Sequence, residues 1–203
     1  RDLTLFRKDN NLIFQFDDFF GPYNKNAIKI DLRYSDVYIV ENEKDFLFFD
    51  KFEKSKYIGI DLEWRCNEES DHANIIQLAD ENFVMIVDYT RFHNDSNFEK
   101  KFYNSLVNKT FIGFGFKSDM KKISGMVKKL MNESEFIDIT TLYKQKFDKQ
   151  CPSLSELCKQ MLNGELCKYE QMSNWNIRPL RKRQLHYAAL DDHILLKLYK
   201  LFI

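Results

Sequence analysis

Apolar and polar positions fall into a sustained rhythm from Val37 onward. Val37 to Val40 reads as a short strand, Glu43 to Lys54 as a helix, and Tyr57 to Trp64 as a strand of strict alternation. Asn74 to Ala79 and Phe83 to Asp88 are two further strands on a short polar turn, so they must run antiparallel. A helix follows at about Asn97 to Asn108, then a strand at Thr110 to Gly115, a helix at about Ser118 to Met131 and a strand at Phe136 to Ile139. The pattern then turns helical, with Ser153 after Pro152 as an N-cap and an end near Gly164. A loop holding Trp175 and Pro179 leads into a long apolar-rich helix from Arg181 to Phe202. Three successive strands and then alternating helices and strands predict a mixed α/β sheet. Residues 1–35 keep no period: Phe14, Phe16, Phe19 and Phe20 sit beside a turn at Gly21-Pro22. They read as an N-terminal extension or linker, extended or hairpin-like, ahead of a domain over 36–203.

Composition narrows the class. Of 203 residues 44% are hydrophobic and 15% aromatic, with 19 Phe, enough for a substantial core and too much for a disordered chain. No apolar run approaches the roughly 20 residues of a membrane-spanning helix, so a soluble protein is expected. There is neither an initiator Met nor a secretory signal pattern, which predicts an intracellular fragment of something longer, with further domains. Cys66, Cys151, Cys158 and Cys167 form no C-x-x-C pair and read as reduced thiols. The 31 basic and 31 acidic side chains cancel, but unevenly. Residues 61–81 carry seven acids against Arg65, residues 117–129 five lysines against Asp119, and Arg178 to Arg183 four cations and no acid. Solvated helix faces account for such runs as readily as a polyanionic partner does.

Three features carry chemistry. On the strand Tyr57 to Trp64, Ile58, Ile60, Leu62 and Trp64 share one face and Tyr57, Gly59, Asp61 and Glu63 the other. The two carboxylates then stand roughly 6–7 Å apart. Their repulsion in a buried site invites a divalent cation with oxygen ligands. Alone, an acidic strand end in water explains them better. Gly113-Phe114-Gly115-Phe116-Lys117-Ser118-Asp119 marks a strand-to-helix turn that sets Asp119 in a helical first turn, where the dipole favours an acid and also a phosphate nearby; a plain helix-start acid explains it as readily. Tyr187 and Asp191, four apart on the last helix, share a face. A core tyrosine is the default for Tyr187, but Asp191 in so apolar a helix is costly without a partner. Asp192, turned about 100° away, is expected in solvent.

Together these residues resemble the DEDDy exonucleases, the ribonuclease H-like superfamily that includes ribonuclease D and the Werner-type exonuclease. Asp61-x-Glu63, Asp119 and Tyr187-x-x-x-Asp191 match its three motifs in order. The stretch Leu166-x-Lys168-x-x-Gln171-x-Ser173-x-Trp175-x-x-Arg178-Pro179-Leu180, continuing through Gln184 to Tyr187-Ala188-Ala189, is similar to the Nibbler-type branch, which acts on small RNAs. The likeness covers residues 36–202. Gly115 stands where ribonuclease D tends to have Asn, and Asp192-His193 where the family usually continues Ala-Tyr; neither change removes a metal ligand, and His193 is expected to have no metal duty.

The resemblance implies a mixed five- to six-stranded sheet flanked by helices and a 3′-to-5′ exoribonuclease using two divalent cations, Mg2+ or Mn2+. Asp61 would bridge the ions, Glu63 and Asp191 would complete one, and Asp119 would serve the other. Tyr187 would orient the attacking water. It further implies single-stranded RNA 3′ ends as substrate, Argonaute-type small-RNA complexes as partners, and a cytoplasmic rather than nuclear setting. A DNA-directed exonuclease and a catalytically silent binding module of the same fold stay open. Lys117, Lys121 and Lys122 follow the second motif and Arg178, Arg181 and Lys182 precede the third, so both groups are candidates to hold phosphates. Phe116 and Trp175 are expected in the core rather than stacked on bases.

Overall fold

The structure, a computed structural model, describes residues 7–8, 11–12, 36–65 and 72–203. Strands β1 (Arg7–Lys8) and β2 (Asn11–Leu12) pair antiparallel; Gly21-Pro22 and Cys66 lie outside the described residues. Six further strands form one sheet: β3 (Val37–Val40), β4 (Tyr57–Glu63), β5 (Ile75–Ala79), β6 (Val84–Val87), β7 (Thr110–Gly113) and β8 (Glu135–Asp138). Their order is β3-β6-β5-β4-β7-β8. β5 pairs antiparallel with both its neighbours, as its short turn to β6 dictates, and the other pairs are parallel.

The alternation of β4 divides the core. Ile58, Ile60 and Leu62 enter a cluster with the 3-10 helix Glu43–Lys54, α2 (Ser96–Leu106) and α3 (Gly125–Glu133). This layer uses the phenylalanines: Phe46, Phe49, Phe92, Phe98 and Phe102 touch ring to ring at 5.1–6.4 Å. Each such ring taken from water contributes roughly 1.5–3 kcal/mol. Asp95 fixes the start of α2 by accepting from the N–H groups of Asn97 and Phe98 at 2.8 and 2.9 Å. The opposite face of the sheet packs on α6 (Lys182–Tyr199). Phe116 and Trp175 are both core residues.

Three elements differ from expectation. Glu43–Lys54 is a 3-10 helix along its whole length. A four-residue helix, α1 (Tyr89–Phe92), follows β6 where none was expected. The single helix predicted over Ser118 to Met131 is two, the 3-10 helix Phe116–Lys122 and α3. Between them Ile123 turns extended and buries its side chain, and the Ser124 N–H donates to the Tyr89 hydroxyl at 3.3 Å. Helical periodicity alone does not register that break, because Ile123 and Val127 keep the spacing of a continuous face. After β8 come α4 (Ile139–Phe147) and α5 (Leu154–Leu162), the latter capped by Ser153 as expected.

Candidate active site

β4 carries Asp61 and Glu63 to the face packed by α6, whose third turn brings Asp191. Ligand oxygens of Asp61, Glu63 and Asp191 all lie within 4.8 Å of one another. Asp61 is half-buried, while Glu63 and Asp191 are buried. They open onto a cleft of about 540 Å³ that is also lined by Trp64, Phe114, Ser118, Asp119, Lys168 and Tyr187. Asp119 therefore faces the same space from its own wall, without joining the tight trio.

The turn that presents Asp119 is built locally. Gly115 takes the left-handed conformation at φ 65°, which a side chain would disfavour. Its N–H donates to Asp138 at 3.1 Å, and the same carboxylate caps α4 by accepting from the Thr140 N–H at 2.8 Å. The Ser118 hydroxyl donates to Asp119 at 3.0 Å.

Three acids at this separation repel unless charge is supplied or withheld. Loss of water, and then the charge of Asp191, push the Asp61 carboxyl up to about 7. Burial also holds Glu63 well above the usual carboxylate range, helped by Asp61 and Asp191. The phenol of Tyr187 hydrogen-bonds Glu63 and Asp191; burial, and then these carboxylates, drive its pKa upward, so it is a neutral donor.

Asp192 departs from expectation: it is fully buried. The helical angle is correct, but α6 packs on β4, β5, β6 and β7 and has no wet face at that turn. Gly59 makes the room, since a Cβ there would lie 2.9 Å from both the carbonyl oxygen and Oδ1 of Asp192. Neither carboxylate oxygen of Asp192 has a hydrogen-bond partner, and burial, followed by Asp61 and Asp191, holds its pKa well above the usual range. His193 is buried beside it in sequence.

The part of the long motif from Leu166 to Arg181 is a non-helical strap that leads into α6, and the motif's last residues, Lys182 to Ala189, are the first turns of α6. Trp175 is buried against the Tyr187 ring at 5.9 Å, and Gln184 donates to the Ser173 hydroxyl and the Asn174 carbonyl, both at 3.0 Å. Arg178 grips Asp88 through two nitrogens at 2.5 and 2.6 Å and donates to the carbonyls of Trp175 and Ile177. Its guanidinium thus ties the strap to the end of β6 and does not line the cleft. Arg181 pairs with Glu170 at 2.6 Å. Lys122 lies 5.7 Å over the Trp64 ring at the cleft's edge, while Lys117 and Lys121 are exposed and Lys182 half-buried. The cation that does reach the acids is Lys168, whose Nζ donates to Oδ2 of Asp191 at 2.5 Å. Lys168 belongs to the motif legible in the sequence, without a role assigned to it there. Nothing in spacing signals a contact that a coil makes 23 residues ahead.

A mixed sheet in this order, with acids gathered at one end of its central strand, defines a ribonuclease H-like nuclease. The chain belongs to the 3′-5′ exonuclease family, whose sequence profile matches residues 38–202. It is 28% identical over 169 residues to the exonuclease mut-7 of Caenorhabditis elegans, covering 71% of this chain and 18% of that protein. To the mut-7 homolog of Aedes aegypti it is 26% identical over 212 residues, covering 91% of this chain and 29% of the relative. The chain therefore spans less than a third of the length of these two relatives. In fold it is similar to the crystal structure of the Aedes aegypti Nibbler EXO domain, with a TM-score of 0.74 and 24% identity over 87% of this chain and 91% of that one. The expected likeness to the Nibbler-type branch is thus met.

Proposed function

We propose that this domain hydrolyses RNA from the 3′ end and releases nucleoside 5′-monophosphates. The observation that carries the reading is the convergence of Asp61, Glu63 and Asp191 within 4.8 Å, on a cleft shared with Asp119 and Tyr187. The donor set fits hard divalent cations: all oxygen, mutually repelling, with Oδ1 of Asp191 buried and lacking a hydrogen-bond partner. Asp61 would serve both ions, Glu63 and Asp191 one of them, and Asp119 the other. When bound, Mg2+ or Mn2+ would activate water and stabilise the departing oxygen. Tyr187 holds a proton at its phenol and so orients the attacking water rather than deprotonating it. Lys117, Lys121 and Lys122, with Arg181 and Lys182, would hold the strand by its phosphates; Arg178 is committed to Asp88.

The choice of RNA, and of small RNAs in cytoplasmic Argonaute-type complexes, rests on similarity to the Nibbler-type branch. The test is digestion of 5′-labelled single-stranded RNA and DNA in Mn2+. The expected result is a ladder shortening from the 3′ end on RNA, with a circular RNA left intact. An equally fast DNA ladder would favour the Werner-type reading. Cutting of the circle would contradict exonucleolytic action.

A further inference from the structure

Lys168 sits in coil between α5 and α6, with its side chain 26% exposed and its ammonium against a carboxylate that is only 2% exposed. The same nitrogen lies 5.3 Å from the centre of the Tyr187 ring. Among the described residues it is the one cation lining the cleft. Oδ2 of Asp191 is taken by this ammonium, which leaves the buried Oδ1 as the oxygen without a partner, so an ion entering the trio meets the ammonium's charge beside it and has no access to Oδ2 until Lys168 moves away. The stem of a lysine is flexible and its charge is compact, so the ammonium can leave one anion for another without moving the backbone.

We propose that Lys168 is a resident stand-in for the metal, a built-in competitor that keeps the acids assembled when no ion is bound and must release Asp191 before one can bind. The proposal rests on reading the acid trio as a metal site. Lys168 acts through Asp191 and is a positioning residue. It makes two effects oppose each other. Removing its charge deprives the metal-free protein of a counter-ion and lowers its stability, yet it frees the oxygen that the metal needs. A lysine serving only to orient Asp191 would give the other sign, because losing an outer partner of a ligand weakens metal binding, typically by 10–100-fold.

The experiment is calorimetric titration of Mn2+ into wild-type, Lys168→Met and Lys168→Arg protein, with thermal midpoints measured in chelator. Lys168→Met is expected to bind Mn2+ more tightly, on the order of tenfold, and to melt several degrees lower without metal; Lys168→Arg should stay near wild type. Unchanged or weaker binding by Lys168→Met would overturn the proposal. A mutation-free readout uses the wild-type protein: the rate at which a small acylating reagent modifies Lys168, followed by mass spectrometry. That rate should rise when Mn2+ is added, and a rate that stays the same or falls would refute displacement even if Lys168→Met failed to fold. Wild-type protein that binds no Mn2+ at all would instead overturn the metal-site reading itself.

Discussion

Tyr187 separates orientation from ligation more cleanly than any carboxylate does. Its ring is held by Trp175 and by the Lys168 ammonium, and its hydroxyl reaches Glu63 and Asp191. Tyr187→Phe therefore keeps the packing and every metal ligand. Turnover at saturating Mn2+ is expected to fall on the order of 10²-fold, the lower range for a positioned acid–base group, in addition to the loss of Mn2+ affinity that follows when Glu63 gives up an outer hydrogen bond. Single-turnover cleavage at saturating Mn2+, set beside a metal titration of the same variant, checks both halves. A normal rate would make Tyr187 a core residue only. Burial pushes the Cys151 and Cys158 thiols up to about 11 and about 12, so these two are far from thiolate at neutral pH.

At the scale of elements, the site depends on how closely α6 approaches β4. Gly59 sets that distance from the sheet side, against Asp192, and the small residues Ala188 and Ala189 are buried on the helix. Gly59→Ala would force its methyl into backbone and side-chain atoms of Asp192 at 2.9 Å. The overpacking is expected to cost about 1–3 kcal/mol and to move Asp191 away from Asp61. Both effects are measurable, as a lower denaturant midpoint and as weaker Mn2+ binding. This element also shows where the sequence is legible and where it is not. The alternation of Tyr57 to Trp64 assigns Asp61 and Glu63 to one face, and the four-residue spacing pairs Tyr187 with Asp191, because both are local geometry. Three facts needed the chain's path in space instead: that Asp192 has no solvent to face, that Arg178 closes on Asp88 90 residues earlier, and that Lys168 reaches Asp191. The antiparallel β5–β6 pair was readable from its turn, whereas the break at Ile123 was not, since a buried residue there satisfies both a continuous helix and an interrupted one.

For the whole molecule, the buried acids give stability an uncommon dependence on pH. Asp61 at about 7, with Glu63 and Asp192 also raised, holds protons in the folded state that the unfolded chain has already released. Stability of the metal-free protein therefore falls as pH rises toward and through the folded pKa. His186, pushed down to about 4 by burial, works in the opposite sense up to and just above its ordinary value near 6.5, so the clean window is pH 7 to 9. Thermal melts in chelator are expected to show a midpoint about 2–4 °C higher at pH 7 than at pH 9, the shift that a kcal/mol produces in a domain of this size. A rising midpoint over that window would mean the acids are ionised and otherwise compensated. The central claim, that Asp61 anchors metal-dependent hydrolysis at the RNA 3′ end, is tested most directly by single-turnover cleavage of 5′-labelled RNA in Mn2+ by Asp61→Asn protein whose circular dichroism matches wild type. The account predicts a rate lower by on the order of 10³-fold, near the upper cost of withdrawing one electrostatic stabiliser from a catalytic site. A variant that shortens the RNA at the wild-type rate would contradict it.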